Sequence, residues 1–210
     1  MKKHLVLLGD SIFDNAAYVA RGPSVIDQVS RLIPLDWSAS LLAVDGHTTV
    51  EVAQQLGRLS DGATHLVLSV GGNDALGCVP ELEAPASSIM QALRTLTAMK
   101  SVFGANYREL VTSLLGLRKP LLLCTIYDSV PGLPEELKTA LGLFNEVILR
   151  VAIECHLPVL DLRLVCAEVG DYSVKSPIEP SSQGGEKIAR KMVETVANHD
   201  FAAGGFRVYR

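Results

Sequence analysis

Aromatic side chains are scarce in this chain. They make up 5% of its 210 residues, and Trp37 is the single tryptophan. A surface that stacks nucleic-acid bases needs several exposed rings, so that class of function is not expected. Excess positive charge is missing too: Lys+Arg 19 against Asp+Glu 23 gives a net charge of −4. Binding to a phosphate backbone depends on surplus Lys and Arg, so nucleic acid is excluded as an expected partner. No apolar run approaches the ~18 residues of a membrane span. The first run, Leu5 to Leu8, is also too short for the apolar core of a signal peptide. Cysteines are few and widely spaced: Cys78, Cys124, Cys155 and Cys166 form no C-x-x-C pair, and no H-x-x-x-H lies near them. A zinc site therefore has no support, and a cytoplasmic protein with reduced thiols and no metal is the expectation. Hydrophobic content is not lacking. At 48%, against 20% charged residues, it excludes disorder. The length suits one domain over residues 1–210, able to bury roughly 70% of its unfolded surface without staples.

Short apolar runs alternate with longer amphipathic stretches. The runs are His4–Leu8, Leu41–Val44, Leu66–Val70, Leu121–Ile126 and, more weakly, Val159–Leu162. Runs of this length bounded by Gly, Asp or Pro read as strands covered on both faces. Helical spacing falls over Ser24–Leu32, Thr48–Leu59, Ala86–Leu117 (one helix, or two divided at Gly104), Pro134–Cys155 and Gln183–Ala197. Strand–helix alternation predicts a parallel sheet with helices on both faces, a three-layer α/β/α sandwich. The tail from His199 to Arg210 breaks the pattern and reads as a loose end or a short extra strand.

Ligands of open parallel sheets bind beyond the carboxyl ends of the strands. There this sequence places Gly9-Asp10-Ser11, Asp45-Gly46-His47-Thr48, Gly71-Gly72-Asn73-Asp74 and Tyr127-Asp128. Walker A and G-x-G-x-x-G sequences are absent, as is the G-x-S-x-G elbow. Gly9-Asp10-Ser11-Ile12 resembles block I of the SGNH (GDSL) hydrolase family. Gly46 matches that family's block-II glycine, and Gly71-Gly72-Asn73-Asp74 its G-x-N-D block. The stretch Ser176-Pro177-Ile178-Glu179-Pro180-Ser181 stands where the family has D-x-x-H-P. The blocks occur in the family's order over nearly the whole chain.

The resemblance implies a five-stranded parallel sheet in flavodoxin-like order 2-1-3-4-5. It also implies a serine hydrolase acting on small carboxylic esters or acylated sugars without a cofactor. Ser11 would be the nucleophile. Its own N–H, the Gly46 N–H and the Asn73 amide would form the oxyanion hole. Taken alone, Ser11 also fits a helix N-cap. Asp10 and Asp74 are candidate substrate contacts, or carboxylates that bond loop N–H groups. The final block departs from the family: Ser176 and Glu179 replace Asp and His. Glu179 is then a candidate base, since a carboxyl raised by burial accepts a proton near neutral pH and needs no orienting carboxylate. Glu179 can equally be a helix cap, Asp171 is a further candidate acid, and His47 is the one histidine on a strand-end loop. Ser176 joins the candidate substrate contacts. The alternative function is an impaired family member that binds an acyl or carbohydrate ligand. Asp14–Pro23, Leu76–Pro85 and Tyr127–Pro134 are expected to line the cleft. Substrate identity and oligomeric state are not written in the sequence.

Overall fold

The computed structural model describes residues 2–19 and 21–210. The run of Leu5, Val6, Leu7 and Leu8 lies within strand β1 (Lys3–Gly9). Successive side chains of a strand point to opposite faces. Leu5 and Leu7 accordingly join one core, and Val6 and Leu8 the other, all four being almost wholly buried. The same division recurs in β3 (His65–Ser69), β4 (Leu121–Cys124) and β5 (Pro158–Leu160). A sheet apolar on both faces must be covered on both.

The covering helices follow from their apolar faces. Val52 of α2 (Thr49–Gln55) shares the Val6–Leu8 core with α5 (Ile89–Gly116) and α6 (Glu135–Glu154). Val25 and Val29 of α1 (Val25–Leu32) share the opposite core with Ile188, Met192 and Val196 of α8 (Ser182–Asn198). Short helices α3 (Gly72–Gly77), α4 (Val79–Leu82) and α7 (Leu162–Val165) complete the set. None of the described helices is long and apolar enough to cross a membrane.

All strand pairs are parallel, and the sheet order is β2-β1-β3-β4-β5-β6. The expected order 2-1-3-4-5 is present, with a sixth strand, β6 (Arg207–Tyr209), added beside β5. The tail is thus an extra strand. The second strand is displaced from its predicted place: β2 is Trp37–Leu41 rather than Leu41–Val44. It is an edge strand in which Trp37, Ala39 and Leu41 pack on the core and Ser38 and Ser40 alternate with them. That half-polar pattern gives no apolar run to read. Residues 42–44 only follow the end of β1, donating to the Leu7 and Gly9 carbonyls. Of the one or two helices that 86–117 allows, a single one forms, α5, which runs through Gly104. A side chain there would stand 3.8 Å from Val147 of α6, so Gly104 serves close helix packing.

Gly9 is where the sheet hands over to the loop. Its φ is +134°, and a Cβ would lie 1.8 Å from the Ser69 carbonyl oxygen of the neighbouring strand. That atom is backbone inside the sheet and cannot step aside. Gly9→Ala is therefore expected to cost at least ~3 kcal/mol through overpacking and backbone strain. Thermal unfolding should show a loss of ~6 °C or more.

Candidate active site

Beyond Gly9 the chain turns sharply. Asp10 N–H donates to the Ser69 carbonyl, while the Asp10 carbonyl accepts from Phe13 and Asp14. The Asp10 carboxylate accepts from Ile12 N–H at 3.1 Å. Ser11 stands in this turn at the carboxyl end of β1, only 6% exposed. Among the described residues its N–H has no backbone partner, nor does that of Gly46.

Pairing of Gly9 with Ser69 brings the loop after β3 alongside. Asn73 uses one amide hydrogen to donate to the His47 carbonyl at 3.0 Å, which leaves the second free. Asp74 accepts from both Thr49 N–H and Thr49 Oγ1, at 2.9 and 3.0 Å. The loops after β2 and β3 are laced together in this way. Gly46 has φ +82° and no atom within 4 Å of where a Cβ would be, so its backbone faces open space.

The segment before α8 brings in the carboxylate. Glu179 is 4% exposed, and its Oε2 has no hydrogen-bond partner. The backbone around it is held on three sides. Tyr127 Oη donates to the Ile178 carbonyl at 2.7 Å, Asn15 Nδ2 to the Pro180 carbonyl at 3.1 Å, and Ser173 N–H to the Glu179 carbonyl at 2.8 Å. The cap of α8 is Ser181, whose hydroxyl accepts from Gln183 and Gly184 N–H. Glu179 is therefore not the cap.

Asp10, Ser11, Asn73 and Glu179 line one cavity of about 110 Å³. Its other walls are mostly apolar, aliphatic side chains together with Tyr127 and Phe144, supplied chiefly by α3 and α4, by residues 126–133 and by α6. Burial in this setting raises Glu179 to about 7, with the charge of Asp45 adding to the rise and hydrogen bonding from Ser11 opposing it. Ser11 and Glu179 line the same cavity, and Glu179 Oε2 has no hydrogen-bond partner. Burial likewise raises Asp10 to about 8, opposed by the Ile12 N–H and reinforced by Glu179 and Asp74. At neutral pH the pair therefore carries nearer one negative charge than two. No group of three or more His, Cys, Asp or Glu among the described residues is placed to hold a metal ion.

The profile of the GDSL-like lipase/acylhydrolase family matches residues 7–186. The chain belongs to that family. No curated protein matches it. Among solved structures it is similar to the lipase Lip_vut3 from a goat rumen metagenome, with TM-score 0.69 and 18% identity over 93% of this chain and 97% of that one. It is similar also to Axe2, an acetylxylan esterase from Geobacillus stearothermophilus (TM-score 0.67, 16% identity, 95% and 98% covered). A lipase/acylhydrolase from Enterococcus faecalis gives TM-score 0.63 and 20% identity, with 92% and 95% covered. At these identities the likeness is one of fold.

Several residues singled out in the sequence do not line the cavity of this family member, Gly46 among them. His47 is tied by Nδ1 to Gln55 Nε2 at 3.1 Å and does not line the cavity. Asp74 is spent on Thr49, and Ser176 contributes its carbonyl to the Glu179 turn, so neither lines it. Asp171 is buried against Lys187 at 2.8 Å and Gln183 at 3.1 Å. Of the stretches expected to line the cleft, 76–82 and 127–133 do so. Asp14–Pro23, of which Ala20 lies outside the described residues, instead supports the Glu179 loop through Asn15, Ala17 and Tyr18.

Two supporting side chains escaped the sequence reading. Fully buried Gln55 accepts from Gly9 N–H and donates to the Gly9 carbonyl, fixing the end of β1. A glutamine three positions after Val52 on an apolar helix face was the available signal. Asn15, also fully buried, bonds both Val25 N–H and Pro180, joining the first loop to the last. It lies in a polar loop stretch and gave no signal.

Proposed function

We propose that this protein hydrolyses carboxylic esters through an acyl-enzyme on Ser11, with Glu179 as the general base. The observation that carries this reading is a buried carboxylate, one oxygen unpartnered, lining the same cavity as Ser11 and Asn73. A buried acceptor without a donor is costly, and a catalytic role is one reason a protein keeps such a group. Family membership and ester-hydrolysing fold neighbours support the reaction class.

The chemistry balances with these groups alone. Glu179 takes the Ser11 hydroxyl proton as Oγ attacks the ester carbonyl carbon. The carbonyl π electrons move to oxygen, where the N–H groups of Ser11 and Gly46 and the free amide hydrogen of Asn73 meet the oxyanion. Collapse breaks the bond to the alcohol, which leaves with the proton held by Glu179. A water then gives its proton to Glu179, attacks the acyl carbon and releases the acid, and Ser11 recovers its proton. Hydrogen bonds of this kind are often loose in a free enzyme and tighten with substrate. Asp10 is already engaged by Ile12 N–H, whereas Glu179 keeps an oxygen free to receive the proton.

Turnover of p-nitrophenyl butyrate by the purified protein tests the reading. Asn73→Ala is expected to lower kcat by ~10²–10³-fold with a smaller effect on KM, because its amide bonds most strongly to developing charge. A change confined to KM would remove Asn73 from the oxyanion hole. No turnover above background would leave the cleft as a ligand-binding site only.

A further inference from the structure

We infer that the cavity beside Ser11 takes an unbranched aliphatic acyl chain of about four to six carbons, with the polar leaving group held outside on the Gly46 side. This rests on the hydrolase reading and names the substrate class for that site.

Three observations carry it. The first is where the polar groups are. Asp10, Ser11, Asn73 and Glu179 belong to the reacting end, and the Tyr127 hydroxyl is already spent on the Ile178 carbonyl. The walls beyond offer side chains such as Leu76, Val79, Leu133, Leu137, Ala140 and Phe144. Sugar hydroxyls buried there would lose water and find no partner, which is heavily penalised. The second is size. An apolar cavity of ~150 Å³ accommodates a benzene ring of six carbons. By that measure the 110 Å³ here suits about four or five carbons past the carbonyl. The third is the contrast across the reacting end. Gly46 is exposed with open space around it, and beside it the Tyr18 hydroxyl donates to Asp45 at 2.7 Å, with Asp45 N–H donating to Asp14.

Two ester series tell the sides of the bond apart. In p-nitrophenyl esters the acyl chain varies from acetyl to decanoyl over a constant leaving group. In alkyl acetates, followed by pH-stat, the alcohol varies from methyl to hexyl. We expect kcat/KM in the first series to rise roughly fourfold per methylene from acetyl to about hexanoyl, the transfer gain of a buried methylene, and then to level off. The second series should stay within a few-fold. Leu137→Asn, at a half-buried wall position, should cut the hexanoate-to-acetate ratio by ~10-fold or more. Ala140→Phe should move the optimum to a shorter chain. A flat acyl series, or a rise confined to the alkyl acetates, would overturn this inference while the hydrolase reading stood. If no ester of either series were turned over, the hydrolase reading would fall separately. Calorimetry with hexanoate would then decide the chain site, and no binding up to the solubility limit would overturn it as well.

Discussion

Ser11→Ala is expected to reduce kcat/KM for p-nitrophenyl butyrate by ~10⁴-fold or more. Where a nucleophile and its base work as a unit, losing the nucleophile costs nearly everything that the unit supplies, and only transition-state binding survives. The fold should hardly notice. Ser11 belongs to a turn fixed by backbone hydrogen bonds from Phe13 and Asp14 to Asp10, which the substitution leaves in place. The melting temperature should therefore stay within ~2 °C of wild type, in line with a small, non-packing change. Equal turnover by the two proteins would exclude Ser11 as nucleophile. A collapse in melting temperature would make it a structural residue.

The second large effect lies at Glu179. A base must be ionised, so wild-type kcat/KM should climb with pH through a midpoint near 7 and fall away on the acid side. Glu179→Gln should remove that limb and depress activity ~10³-fold or more at every pH, because an amide cannot take up the Ser11 proton. Stability should move the opposite way. The carboxyl is raised in the folded protein from 4.5 to about 7, so the folded state holds the proton more tightly than the unfolded one. Its ionisation therefore opposes folding: stability is highest below about 4.5, declines as pH rises through 7, and the full penalty remains above that. Glu179→Gln lifts the penalty and should raise the melting temperature at pH 8 by ~2 °C or more. Lower stability together with unchanged activity would mark Glu179 as a structural carboxylate. Full activity in Glu179→Gln with loss in His47→Ala would transfer the base to His47. The tie between His47 Nδ1 and Gln55 speaks against that outcome.

How much of this was legible in the sequence depended on how each signal arises. β1, β3 and β4 were readable because strands buried on both faces must be apolar throughout, and Leu5–Leu8, Leu66–Leu68 and Leu121–Cys124 are. β2 was misplaced because an edge strand needs only one apolar face, and Ser38 and Ser40 take the other. β6 was left open because three exposed or half-buried residues carry little pattern. Within the site, Ser11, Gly46 and Asn73 stood out as polar or glycine punctuation immediately after strands. Glu179 stood out as a replacement in the family's final block, but nothing local in the sequence told that Ser181, two residues on, is the cap of α8. The cavity walls were hidden in plain periodicity. Leu137, Leu141 and Phe144 have the spacing of any core-facing helix, and only the tertiary arrangement shows that part of that face lines a cavity. Asn15 and Gln55 act across 165 and 46 residues of sequence, beyond any local pattern.

If Glu179 activates Ser11, covalent labelling measures that step without any choice of substrate. A fluorophosphonate should modify Ser11 alone, located by peptide mass spectrometry. Its second-order labelling rate should rise with pH about a midpoint near 7 in the wild type and become slow and free of that titration in Glu179→Gln. Modification at another residue, or a Glu179→Gln protein labelled at the wild-type rate with the wild-type pH profile, would contradict the account.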